Sequence, residues 1–288
     1  MSVRPAGSQQ ADAARRAVGA HDELVTALYG GQLEAIAGGR LTYNRWIEEP
    51  EWNHAGGMAL GEGDARGLGR LLAEVEEFYT ERGRQPAIVV DPFTRPADLV
   101  RQLAARGWTE AFRHAGLIHP SDQRVARFEW TSGAHVVEAS CPASASTTGT
   151  DPSFPSMQVF ASIFEASFSE TAGGNLSSGY QDAFPAAMTR PCEGVEVVHT
   201  LVTIGGEPAA VGSRALVGGV AGLYNLGVAP RFRRRGLGGA ITLHRVAAAR
   251  AAGAEVVYLL TEDPRVEAAQ LRRGFEKVFE LAGWTAPA

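Results

Sequence analysis

The sequence predicts an α/β protein with a mixed α+β sheet, built from two tandem modules. Three observations carry this reading. The chain has 288 residues, and at about 150 residues per domain that allows two. Apolar residues make up 45% and charged residues 20%, a composition able to fill real cores. One pattern also occurs twice: helix, Gly, strand, Asp-Pro, helix, Gly-aromatic.

In the first copy, Leu68 to Glu81 is amphipathic, with Leu71, Leu72, Val75 and Phe78 on one face. Gly83 stops that helix, Ala87-Ile88-Val89-Val90 is a strand, and Asp91-Pro92 ends it. A second helix then leads to Arg106-Gly107-Trp108. In the second copy, Leu237 to Ala252 is an alanine-rich helix stopped by Gly253. Val256-Val257-Tyr258-Leu259-Leu260 is a buried strand, Asp263-Pro264 ends it, and a helix leads to Arg273-Gly274-Phe275. Gly83 and Gly107 are 24 residues apart, and Gly253 and Gly274 are 21 apart.

Between the copies, Ser140 to Ser153 is small, polar and proline-bearing, which reads as a loop or linker. A short β-like run, His135 to Ala139, precedes it. Phe160, Ile163, Phe164 and Phe168 after it line one helical face. A strand often opens a domain, so the boundary is expected near 130, giving domains over 15–130 and 131–288. The aromatics of Tyr43-Asn44-Arg45-Trp46-Ile47 and Glu51-Trp52-Asn53-His54 read as core or interdomain packing.

Several function classes are excluded. The 27 basic and 32 acidic residues leave a net charge of -5, so a broad nucleic-acid surface is not expected and any anion site must be local. There is no apolar run long enough for a membrane span, and the N-terminus lacks the apolar core of a secretion signal. Cys141 and Cys192 have neither metal-ligand nor redox spacing and read as reduced structural thiols of a cytoplasmic protein. The seven histidines form no metal motif, and no Gly-x-Ser-x-Gly elbow is present.

The chemistry concentrates in Gly222 to Ile241. A β-like run ends at Val228-Ala229-Pro230, a basic glycine-rich turn follows, and a helix begins near Leu237. Amides at a helix N-terminus carry partial positive charge and suit a phosphate or pyrophosphate. Gly236 and Gly238 remove side chains from their path, and Arg231, Arg233, Arg234 and Arg235 add local positive charge. Gly239-Ala240 stands where a nucleotide P-loop needs Lys-Ser or Lys-Thr, and the dinucleotide fingerprint fits no better.

Val228-x-Pro230-x-x-Arg233-x-x-Gly236-x-Gly238 resembles motif A of the GNAT superfamily of N-acetyltransferases, and Gly274-Phe275 resembles its motif B. The resemblance is specific over about 200–288. It implies tandem acyl-CoA N-acyltransferase-like domains, the second carrying the cofactor motif. It also implies acetyl-coenzyme A held by the turn from Arg233 through Arg234, Arg235, Gly236, Leu237 and Gly238 to Gly239. The strand at Leu226, Gly227 and Val228 would pair with the pantetheine arm. The first copy keeps only Arg66-Gly67-Leu68-Gly69, without Val-x-Pro, and with Glu62 and Asp64 where an anion would sit. It reads as a degenerate, non-catalytic repeat.

Many members of the superfamily protonate the leaving thiolate from a tyrosine four residues before the motif-B glycine. Here that residue is Gln270. Substitutes are Tyr224 and Tyr258 on the two strands expected to splay around the thioester, and Glu262 at the end of the second strand. The alternatives are packed strand aromatics and a solvated strand-end charge. His244 reads as a surface or packing residue. Strand alternation would put Tyr224 on the same face as Leu226 and Val228. The resemblance implies direct acetyl transfer to a primary amine, on a small molecule or a protein. A non-catalytic coenzyme-A-binding sensor or regulatory module is the alternative. A monomer with an internal pseudo-dimer, or a homodimer, is expected.

Overall fold

The computed structural model describes residues 7–141, 149–150, 154–168, 179–190 and 192–287. Most of the proposed linker, 142–148 and 151–153, lies outside the described residues. The first half runs α1 (Ser8–Tyr29), β1 (Gln32–Ile36), β2 (Gly39–Tyr43), β3 (Ala55–Gly56), α2 (Ala65–Glu81), β4 (Ala87–Val90), α3 (Leu99–Ala105) and β5 (Thr109–His119). The second runs β6 (Ala134–Ser140), β7 (Gly149–Thr150), α4 (Met157–Ala166), α5 (Tyr180–Met188), β8 (Glu196–Ile204), β9 (Glu207–Val217), β10 (Val220–Val228), α6 (Leu237–Ala251), β11 (Val256–Thr261), α7 (Pro264–Leu271) and β12 (Glu276–Thr285).

The twelve strands among the described residues form one mixed sheet in the order β1-β2-β3-β4-β12-β5-β11-β10-β9-β8-β6-β7. Its two parallel pairs, β3–β4 and β10–β11, are each bridged by a crossover helix, α2 or α6. The duplicated pattern in the sequence is therefore a duplicated strand–helix–strand unit. The last strand of each half then crosses over. β5 pairs antiparallel with β11, Leu117 opposite Leu259, while β12 pairs antiparallel with β4, Trp284 opposite Ile88. β5 and β12 also pair with each other. The two halves are laced through the middle of the sheet.

Helix α2 buries Leu68, Leu71, Leu72, Val75 and Tyr79 against Leu41, Ile88, Leu99 and Leu103. Helix α4 turns Phe160, Ile163 and Phe164 inward, where Phe160 and Phe164 meet Phe184 of α5. The N-terminal helix α1 was not anticipated, although Ala14, Ala17, Val18, His21, Leu24, Val25 and Leu28 follow helical spacing and are all buried. Its packing partners lie largely in the second half. It joins the cluster of Phe160, Phe164, Tyr224 and Tyr258, and Arg16 pairs with Glu255 at 2.7 Å.

Candidate active site

The register between β10 and β11 runs only from Val220↔Val256 to Gly222↔Tyr258. Beyond it the two strands part, leaving the edge of β10 from Leu223 to Val228 unpaired with β11. A bulge lies at this opening. Tyr224 pairs with Ser213 but Gly227 with Val211, so β10 holds one residue more than β9, and Asn225 takes a left-handed φ of 56°.

The bulge corrects one expectation. It resets the alternation, so Tyr224 lies on the face toward α1 and α4, in the core cluster that also holds Phe160 and Phe164. Leu226 and Val228 lie on the opposite face with Phe232, Leu237 and Ile241. The Tyr224 ring folds back over Gly222, where a Cβ would come within 2.4 Å of the ring. Its hydroxyl is 2.6 Å from that of Tyr258, and His21 Nδ1 of α1 lies 3.2 Å and 3.0 Å from the two oxygens. Burial pushes both phenols up and pulls the His21 imidazole down to about 4. Tyr224 and Tyr258 are thus brought together, whereas Glu262 is exposed at the end of β11.

A different tyrosine faces the bulge. Tyr29, the last residue of α1, donates to Asn225 Oδ1, and Asn225 Nδ2 donates to Ser213 Oγ at 3.0 Å. Tyr29 is packed by Trp52, Tyr180 and Phe184, and Trp52 Nε1 donates to Tyr180 at 2.7 Å. The Glu51–His54 aromatic segment is therefore packing between the halves. Arg245 of α6, also unanticipated, donates from Nη1 to the Tyr224 carbonyl at 2.6 Å and the Ser213 carbonyl at 2.8 Å. The signal for Arg245 was an arginine four residues after Ile241 on the apolar face of the helix.

After β10 the chain makes one turn of 3-10 helix, Pro230–Phe232, and enters α6 through Gly236 at a φ of 81°. Arg234 also holds a left-handed φ, 59°. The Arg233 amide is committed to the Pro230 carbonyl, and the Gly239 and Ala240 amides to that of Gly236. The amides of Arg234, Arg235, Gly236, Leu237 and Gly238 have no acceptor among the described residues. A Cβ at Gly236 would meet nothing within 4 Å, and one at Gly238 only Val228. Gly239 serves packing instead, because a Cβ there would lie 2.8 Å from Arg273. Five free donors at a helix N-terminus suit a diphosphate.

The arginines divide the work unevenly. Arg233 Nη2 donates to the Ser167 carbonyl at 2.9 Å and so ties the turn to α4. Arg231 pairs with Glu207 at 2.8 Å, and Arg231 and Arg235 flank the Phe232 ring. Gly227 is a packing glycine: a Cβ there would lie 3.0 Å from Ser167 Oγ and 3.2 Å from Phe164 Cα. His244 meets Glu138 at 3.1 Å, as a surface-packing residue. Gln270 is 2% exposed, and its Oε1 has no partner among the described residues. Both cysteines are free and buried.

The equivalent places in the first half are filled by the chain itself. The Asp64 carboxylate caps α2, accepting from the Gly67 amide at 2.8 Å. With Arg66 aligned to Arg235, α2 begins at Ala65, whereas α6 begins only at Leu237, so the turn is absorbed into the helix. The strand opening is closed too. The Arg95 amide donates to the Met58 carbonyl at 2.9 Å, and the Leu60 amide to the Arg95 carbonyl at 3.3 Å. Glu62 Oε1 accepts from the Ala97 amide at 3.1 Å.

A duplicated mixed-sheet fold with one open phosphate-type turn defines the class: a tandem α/β acyltransferase-like protein. Residues 147–266 match the acetyltransferase (GNAT) domain family. The second half is thus similar to a GNAT acetyltransferase domain, and the chain has the fold of tandem GNAT proteins. A GCN5-related N-acetyltransferase from Kribbella flavida is similar, at 20% identity and a TM-score of 0.64, over 96% of each chain. So is a tandem GNAT protein from the clavulanic acid biosynthesis pathway, solved without AcCoA, at 16% identity and a TM-score of 0.60, over 97% of this chain and 95% of that one. A GCN5-related N-acetyltransferase from Sphaerobacter thermophilus matches at 16% identity and a TM-score of 0.58, over 96% and 92%. None of the curated proteins matches the chain. Among the described residues, no group of side chains could hold a metal ion, and no helix is long and apolar enough to cross a membrane.

Proposed function

We propose that the second half binds acetyl-coenzyme A and transfers its acetyl group to a primary amine by direct attack on the thioester. The observation that carries this reading is the run of five free amides, 234–238, beside an unpaired β10 edge. Bound there, the coenzyme supplies an activated acetyl group. The amides of 234–238 hold the diphosphate, and the edge at Leu226 and Val228 offers main-chain groups to an extended arm. The first half takes no coenzyme. It presents α1 over the second half's sheet, so that Tyr29 and His21 reach the bulge and the two strand tyrosines. The halves act as an internal pair, within a cytoplasmic protein.

Gln270 favours a second reading, a coenzyme-A sensor without catalysis, because its amide cannot protonate a thiolate at neutral pH. Thiol release from acetyl-coenzyme A across an amine panel separates the two. The shared premise is tested by Gly236→Glu, which places a carboxylate among the five amides and replaces a residue at positive φ. Wild-type protein should bind acetyl-coenzyme A in roughly the micromolar range, about 8 kcal/mol, and the variant should not bind. Equal calorimetric binding by both would refute the site.

A further inference from the structure

The bulge of β10 rests on a buried charge that the chain leaves unneutralised. Arg245 is 2% exposed, and its guanidinium reaches no carboxylate among the described residues. It donates instead to three main-chain carbonyls: Tyr224 at 2.6 Å, Ser213 at 2.8 Å and Ile241 at 3.3 Å. Gly212 makes the room, since a Cβ there would lie 2.7 Å from the guanidinium carbon. Burial lowers Arg245 to about 9, which still leaves it charged at pH 7.

The surroundings do not cancel this charge. On β10 and β11 the Tyr224 and Tyr258 phenols are pushed up by burial and stay neutral. On β8, His199 bonds Ser213 Oγ and is held down at about 3, hence neutral as well. Arg214 on β9 has its own partner in Glu196, at 2.7 Å. On α6, His244 turns to Glu138, and Arg250 donates to the carbonyls of Ala254 and His119. A neutral amide could serve carbonyl acceptors without the heavy cost of burying an unpaired cation. The charge itself is what the packing does not explain.

We propose that Arg245 is a positioning residue for acyl transfer, its uncompensated charge behind the β10 bulge favouring the departing thiolate of coenzyme A. This rests on the function proposed above. In that reaction the amine nitrogen bonds the acetyl carbon, and the carbon–sulfur bond breaks with its electron pair on sulfur. The proton leaves the nitrogen to solvent, and the thiolate later takes one from solvent. Arg245 gives no proton. It acts through space in a poorly screened interior, where a fixed charge is felt more strongly than in water. A thiolate stabilised this way can leave without the acid that Gln270 cannot provide.

The test is an ultraviolet titration of the thiol of bound coenzyme A, followed by thiolate absorbance, with calorimetry to establish binding. In the wild type the bound thiol should titrate about one pH unit or more below the free coenzyme, a tenfold gain in thiolate. Arg245→Lys should keep most of that shift. Arg245→Gln, which can still donate to the carbonyls, should lose it while binding coenzyme A. A wild-type thiol that titrates like the free coenzyme overturns the proposal, and so does a shift that survives in Arg245→Gln. Should Arg245→Gln fail to fold, an unshifted wild-type thiol still overturns the proposal. If coenzyme A does not bind the wild type at all, the proposed function fails first; binding with an unshifted thiol removes only the role of Arg245.

Discussion

Tyr224 shows how far one inserted residue moves a side chain. Strict alternation along Tyr224–Val228 would hold its hydroxyl beside Leu226 and Val228. The bulge at Asn225 turns it to the other face, where it meets Tyr258 and His21. A hydroxyl so committed should matter more to folding than to proton delivery. Tyr224→Phe should cost about 1 kcal/mol of stability and lower turnover less than about tenfold. A loss of about 10²-fold with unchanged coenzyme affinity would instead make Tyr224 the acid. Two buried imidazoles and a half-buried one set a pH limit as well. Burial, the largest influence in each case, lowers His21 and His114 from 6.5 to about 4 and His199 to about 3. Their folded-state values lie below the unfolded one, so the neutral rings contribute full stability above about pH 6.5. That contribution is lost as pH falls through the window down to about 4, and to about 3 for His199, because the unfolded chain takes up protons first. Thermal midpoints should therefore drop steadily from pH 7 to 4.5, and a flat profile would contradict these burials.

The elements that sequence made legible are those whose signals are local. Helix α2, strand β4, helix α6 and strand β11 each announce themselves by periodicity and a stopping glycine, as Gly83 and Gly253 do. The strand–turn–helix path through Val228 to Gly238 was legible for the same reason, since it is one continuous stretch. The exchange of β5 and β12 was not, because nothing within 109–119 or 276–285 encodes which strand each will pair with. Tyr29 and Arg245 were not legible for the same reason, as partners distant in sequence define their roles. The exchange has a consequence for dissection. Residues 131–288 alone would lack β5 along β11 and α1 over Tyr224 and Tyr258, baring a long apolar edge and face. That fragment should give no cooperative melting transition. A soluble fragment that melts cooperatively and binds acetyl-coenzyme A would show that the lacing is dispensable.

Across the whole molecule, duplication has produced two units with the same strand–helix–strand plan and opposite treatment of its opening. In one, Asp64 caps the helix and the Arg95 main chain occupies the strand gap. In the other, Gly236 starts the helix late, five amides have no acceptor among the described residues, and the β10 edge stays open. The closed unit is joined to the open one through a continuous sheet and through α1, and we propose that it contributes shape and support at the bulge rather than a second coenzyme site. Calorimetric titration of the full chain with acetyl-coenzyme A measures this division of labour directly. One coenzyme per chain is predicted; two equivalent sites per chain would contradict it.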